Sequence, residues 1–128
     1  MDTRQAISTD SAPQAVGPYS QAIRSGGLIF TAGQIPMDPA TGEMVQGDIE
    51  AQTRRVLDNL MAVLVAAGSG AANVLKVTVF MTDLGEFARM NAVYAEYFPD
   101  PPPARSAVQV GALPKGAAIE MEAVAAVH

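Results

Sequence analysis

An arginine with a rigid approach and a pair of acids two residues apart are the residues best placed to do chemistry. Arg105 follows Pro101-Pro102-Pro103 and Ala104. Proline restricts its own φ and its predecessor's backbone, so the run fixes how the chain arrives at Arg105. Ala107, next on the same face if the segment is a strand, is small enough to leave room beside the guanidinium. A planar fork of N–H donors with small neighbours suits a small carboxylate. A structural ion pair with Glu120 or a surface acid is the alternative that the residues leave open. Glu120 and Glu122 share a strand face if alternation is regular. A glycosidase-type carboxylate pair finds no support from sugar-stacking aromatics, since the chain has no Trp.

Other chemistries are excluded by what the chain lacks. It has no Cys and its one His is His128, which removes thiolate metal sites, cysteine nucleophiles and Ser-His-Asp triads. No metal site is expected. Gly68-Ser69-Gly70 follows a helical pattern, so it reads as a helix stop and not as a nucleophile elbow or a dinucleotide loop. The net charge of −5, with Lys76 and Lys115 the only lysines and no basic run, disfavours a strand-tracking nucleic-acid groove.

The elements that must hold these residues can be read from periodicity. In 128 residues, 49% hydrophobic and 16% charged, there is apolar material for one core, so a single domain over residues 1–128 is expected. Gln5 to Ser8 and Gln21 to Thr31 favour strands, the second broken into a hairpin at Ser25-Gly26-Gly27. After the turn-rich Pro36 to Gly47, the spacing of Ile49, Thr53, Val56, Leu57, Leu60, Leu64 and Ala67 predicts a helix, with Asp48 as N-cap and Gly68 closing it. Val74 to Met81 reads as a strand with Leu75, Val77, Val79 and Met81 on one face. Asp83 and Glu86 form a capping-box-like start to a second helix with the stripe Phe87, Met90, Tyr94 and Tyr97 or Phe98. Arg105 to Val110 and Ile119 to Val127 complete the order ββαβαββ.

That order predicts an α+β fold, a mixed sheet with both helices on one face, because right-handed crossovers deliver them to the same side. The other face would be bare, with small or apolar residues such as Ala107, Val124 and Ala126, and its burial points to a homo-oligomer. Met1-Asp2-Thr3-Arg4 does not open a leader, and the longest apolar run, Leu60 to Ala67, is too short to cross a bilayer. A soluble cytoplasmic chain without a membrane partner is the expectation.

Five collinear segments carry a resemblance. Ala12-Pro13 with Val16-Gly17-Pro18-Tyr19-Ser20, Phe30-Thr31-Ala32-Gly33-Gln34-Ile35-Pro36, Val77-Thr78-Val79-Phe80, Pro103-Ala104-Arg105-Ser106-Ala107-Val108 and Ile119-Glu120-Met121-Glu122-Ala123 together resemble the YjgF/RidA family of reactive intermediate deaminases. The resemblance implies a chorismate-mutase-like homotrimer with clefts between adjacent subunits. It implies hydrolysis of 2-imino acids, such as 2-iminobutanoate and 2-iminopropanoate or their enamine tautomers, to 2-keto acids and ammonia, without metal or organic cofactor. By the same resemblance Arg105 clamps the substrate carboxylate and Glu120 positions the attacking water. Tyr19, Asn91, Ala107 and the main chain of Gly33 then line the cleft. Tyr19 could otherwise be a core aromatic, and Asn91 a cap for a neighbouring backbone group. Ala32 stands where many members have Ser, and Ala107 where many have Cys; the first loses a hydroxyl and the second a thiol.

Two other functions compete with the deaminase. Some relatives are described as endoribonucleases, against which the acidic balance argues. A non-catalytic module that binds 2-keto acids or other small carboxylates would use Arg105 equally well. Glu120 favours the enzyme, because a buried acid beside a carboxylate ligand would otherwise weaken binding.

Overall fold

The structure is a computed structural model that describes residues 3–128; Met1 and Asp2 of the leaderless N-terminal reading lie outside the described residues. Strand β1 (Gln5–Ile7) is followed by the hairpin β2 (Ala22–Ser25) and β3 (Leu28–Thr31), whose tight turn uses Gly26 at φ 60°. Helix α1 (Ile49–Ala66) starts where the Asp48 side chain accepts the Ala51 N–H at 3.0 Å. It ends before Gly68, which at φ 90° adopts the left-handed conformation that a side chain resists. Strand β4 (Val74–Met81), helix α2 (Phe87–Tyr94), strand β5 (Ala104–Gln109) and strand β6 (Ile119–Ala126) complete the chain.

All six strands form one sheet in the order β1-β2-β3-β6-β4-β5, antiparallel except for the β4–β5 pair that α2 connects. The α+β class and the mixed sheet are those expected from the periodicities. The order is βββαβαββ, with one strand more than ββαβαββ, because the Gln21 to Thr31 hairpin supplies two strands, β2 and β3, beside the separate β1. Ile29, Val77, Val79, Met81, Ile119 and Met121 from the sheet join Val56, Leu57, Leu60 and Leu64 of α1 and Met90 of α2 in one buried cluster. No helix among the described residues is long and apolar enough to cross a membrane.

Three local readings change. The β4–β6 register slips between Val74 and Lys76, which turns Val74 inward and leaves Leu75 49% exposed. A simple period of two cannot foresee a bulge. Asp83 caps a short 3₁₀ turn by accepting the Gly85 N–H at 2.8 Å, while Glu86 bonds Arg89, so no reciprocal capping box forms. Ala107 does not lie on the bare face: it pairs in register with buried Val79 and packs against the core under the helices. The bare face instead carries Phe30, 47% exposed, and Val108, 42% exposed, beside Val124 and Phe80.

Buried amides fix the loops around this sheet. Gln21 donates to the carbonyls of Thr9 and Pro13 and accepts the Thr9 N–H, which folds residues 9–13 back over β2. Asn59, fully buried on α1, donates to the carbonyls of Ile35 and Met37 at 3.2 and 2.8 Å and accepts from Arg55. Both therefore set loop positions far from their own place in sequence. Asn59→Ala should leave two carbonyls without these partners and lower unfolding stability by about 2–3 kcal/mol, read from urea titration at unchanged m-value.

Candidate functional site

Strand register divides the expected site residues into two groups. Arg105 pairs with Val77, which pairs with Ala123, and all three side chains point toward the helices. Glu120 pairs with Phe80, which pairs with Val108, and these point to the opposite face. Arg105 and Glu120 therefore lie on opposite faces of one sheet. The ion pair between them that the residues left open is not formed within a chain.

On the helix side, β5 is the sheet edge, and side chains of α2 meet Arg105 there. The guanidinium of Arg105 is held on three sides. Asn91 Oδ1 accepts from it at 2.6 Å, and the rings of Phe87 and Tyr94 lie 5.1 and 4.7 Å from it. Positions 87, 91 and 94 follow one helical stripe, so α2 presents two aromatic faces and an amide oxygen at its third and fourth residue steps. Asn91 thus meets a side chain and does not cap a backbone group. A guanidinium has five N–H donors, so others remain for a ligand. The Tyr94 hydroxyl is buried without a hydrogen-bond partner; burial pushes its pKa up, and the Arg105 charge opposes that shift. Asn91, Tyr94, Phe98, Pro103 and Arg105 line an open cavity of about 470 Å³.

On the other face, Tyr19, Ala32, Gly33, Gln34, Lys115 and Glu120 share a second cavity of about 470 Å³. Both volumes fall in the range of small-molecule sites. Gln34 docks the loop by exchanging two backbone hydrogen bonds with Met121, at 2.8 and 3.1 Å, which brings Gly33 against Glu120. A Cβ at Gly33 would collide with Glu120 Oε2 and lie 2.8 Å from its Cδ, so any side chain there would displace the carboxylate from this position. Burial pushes the Glu120 pKa up, and the charge of Glu122 on the same face adds to the shift. Tyr19 is 52% exposed with its hydroxyl accepting the Val16 N–H at 3.4 Å, so it is a cavity wall and not a core aromatic.

The structure thus brings Arg105 and Asn91 together, and Tyr19, Gly33 and Glu120 together, without joining the groups. Ala107 lies two residues from Arg105 on the same strand face, and Ala32 borders Gly33. Phe87 and Tyr94 were legible only as a buried helical stripe; their spacing with Asn91 was the available signal for their place beside Arg105. Lys115 gave no signal in spacing. Among the described residues no three His, Cys, Asp or Glu side chains gather to hold a metal.

Comparison with known proteins agrees along nearly the whole chain. Residues 9–127 match the family described as Endoribonuclease L-PSP. Protein DfrA of Myxococcus xanthus is 56% identical, over 95% of this chain and 95% of its own. The 2-iminobutanoate/2-iminopropanoate deaminase of Bos taurus is 46% identical, over 95% of this chain and 89% of its own. The crystal structure of Escherichia coli TdcF with bound serine superposes with a TM-score of 0.90 at 43% identity, covering 97% of this chain and 100% of that one.

The electrostatics of the acidic cavity can be tested without any ligand. Removing the charge of Glu122 stabilises the ionised form of Glu120, so its pKa falls. In Glu122→Gln, carbon-detected NMR of the Glu120 carboxyl should titrate at lower pH than in the parent protein, with the residual elevation due to burial. An unchanged titration would leave burial as the only cause.

Proposed function

The chain belongs to the YjgF/RidA family, whose members are also described as L-PSP endoribonucleases, and on that premise we propose that it is a hydrolytic deaminase. Its substrates in this reading are 2-imino acids such as 2-iminobutanoate and 2-iminopropanoate, and its products 2-keto acids and ammonia. The observation that carries the proposal is the placement of Arg105 and Glu120 on opposite sheet faces, each in a cavity of its own. One substrate can meet both only between two copies of the chain. The exposed apolar residues Phe30 and Val108 on the bare face supply the reason for copies to associate, and a homotrimer with clefts between neighbours uses every half-site.

The chemistry asks little of the protein. Arg105, steadied by Asn91 and two aromatic rings, binds the substrate carboxylate and orients the imine carbon. A water held by Glu120 of the adjacent copy adds its oxygen to that carbon, and the C=N electron pair moves to nitrogen. Glu120 takes the proton lost by the water and returns it to nitrogen. Glu120 then carries the hydroxyl proton of the resulting carbinolamine to its nitrogen, so that C=O re-forms as C–N breaks and ammonia leaves. An acid whose pKa burial has raised is a stronger base than an ordinary carboxylate, which suits this exchange. No metal, organic cofactor or membrane is required. The −5 charge continues to argue against a nucleic-acid substrate, whatever the family description says of other members. A sensor that only binds small carboxylates is the other reading, and Glu120 separates the two.

Light scattering after size exclusion should give three times the 13.3 kDa chain mass. Glu120→Gln should lower imine hydrolysis by roughly 10²–10⁴ while 2-ketobutyrate still binds. Arg105→Ala should weaken 2-ketobutyrate by at least roughly tenfold, and Arg105→Lys should recover only part of the loss. Co-assembly of equal amounts of Glu120→Gln and Arg105→Ala should restore about one quarter of the clefts, since each needs an intact Arg105 from one copy and an intact Glu120 from its neighbour. Absence of any recovery would overturn the shared cleft; full activity of Glu120→Gln would move the water-activating role to other groups such as main-chain carbonyls, and a parent protein that binds 2-ketobutyrate but hydrolyses no imine would be the sensor.

A further inference from the structure

One residue of the Glu120 cavity has no part in the deaminase chemistry above. Lys115 sits in the 3₁₀ turn Pro114–Gly116 that leads into β6, and it lines the cavity beside Pro114 and Glu120. Its backbone is held at φ 56°, and it is the only residue other than glycine at positive φ among the described residues. The next residue, Gly116, is also left-handed at φ 72°. A lysine at such a position costs conformational energy that glycine would not, and strain of this kind persists where the side chain is needed. The turn itself gives no reason for lysine, since a Cβ or longer side chain adds nothing to its hydrogen bond from Ala117 N–H to the Pro114 carbonyl.

Charge supplies the reason. The cavity holds Glu120, Glu122 shares its sheet face, and the chain carries a net charge of −5, so the field at this wall opposes any anion. Lys115 is the one cationic residue that lines this cavity. Among the described residues the ion pairs are those of Arg54 and Arg89, and Lys115 is engaged in none. We propose that Lys115 is a specificity-determining residue that admits anionic substrates to the Glu120 wall, offsetting the carboxylates there, and that it favours 2-imino acids carrying a second carboxylate on the side chain. Arg105 holds the carboxylate next to the reacting carbon; Lys115 acts on approach and on a more distant anionic group. This assignment rests on the deaminase reading.

Lys115→Met, Lys115→Arg and Lys115→Gly test it. Lys115→Met should raise KM for 2-iminobutanoate about tenfold, with kcat changing less, and should flatten the fall of kcat/KM with added salt. The loss should be larger for the imine derived from glutamate. Lys115→Arg should restore KM to near the parent value, because charge and not shape is required. Lys115→Gly should raise Tm by relaxing the turn and yet show the KM of Lys115→Met; a residue present only for the turn would gain stability without losing substrate. Calorimetric titration of 2-ketobutyrate and 2-ketoglutarate into the same proteins repeats the test without turnover. Parent-like KM, salt dependence and 2-ketoglutarate affinity in Lys115→Met would overturn the role of Lys115 and leave the deaminase standing. A parent protein that binds both keto acids but hydrolyses no imine would overturn the deaminase, while the loss of 2-ketoglutarate affinity in Lys115→Met would still uphold Lys115 as the selector.

Discussion

Side-chain alternation along three paired strands, β6, β4 and β5, governs everything that the molecule can do with its polar residues. Because the period is two and the pairing is fixed, Ala123, Val77 and Arg105 must face the helices while Glu120, Phe80 and Val108 must face away. A slip of one residue in β6 would drive Glu120 into the core and expose Met121, at the cost of burying a charge, so the register is strongly specified. The same alternation prevents the acid and the arginine from meeting within a chain. It leaves each with unmet capacity, the guanidinium with free donors and the carboxylate partly desolvated without a cation against it.

The two halves are prepared by different physics. Arg105 is fixed by direct contacts from one helix: an amide oxygen and two aromatic faces fill its surroundings, and all three come from a single stripe of α2. Glu120 is shaped by the approach of a backbone. Gln34 pairs with Met121 as an added rung beside β6, Gly33 immediately precedes it, and the missing side chain of Gly33 is the space that the carboxylate occupies. Those loops are in turn anchored by Gln21 and Asn59, polar residues buried among apolar ones and bonded to loop carbonyls. Buried amides of this type specify one loop conformation, because any other would leave them without partners.

Much of this was legible in the sequence. Asp48 and Gly68 punctuate α1 as their side chain and its absence require, and the apolar spacing between them is helical throughout. The glycine pair after Ser25 made the hairpin, and the prolines before Arg105 led it into β5 as the restricted φ of proline implies. Less was legible where a position depends on a distant partner. Nothing in Val74-Leu75-Lys76 announces the bulge that reverses the first residues of β4, and nothing local tells that Asp83 would cap a 3₁₀ turn while Glu86 turned to Arg89. Ala107 lies on the face opposite to the expected one for a related reason: alternation places it with Arg105, but does not say which phase the helices cover.

The sequence by itself determined the elements, because capping, turn chemistry and apolar periodicity act between residues a few positions apart. It also determined the chemical inventory, an arginine and an acid with no thiol and no internal imidazole. Only the tertiary structure decided which residues share a cavity, since that follows from pairing register and from loops held by amides more than twenty residues away. Sequence distance is nearly silent here. Arg105 and Glu120 are close along the chain and on opposite faces, while Gly33 and Glu120 are far apart along it and in contact, because a sheet converts separation in sequence into the parity and register of its strands.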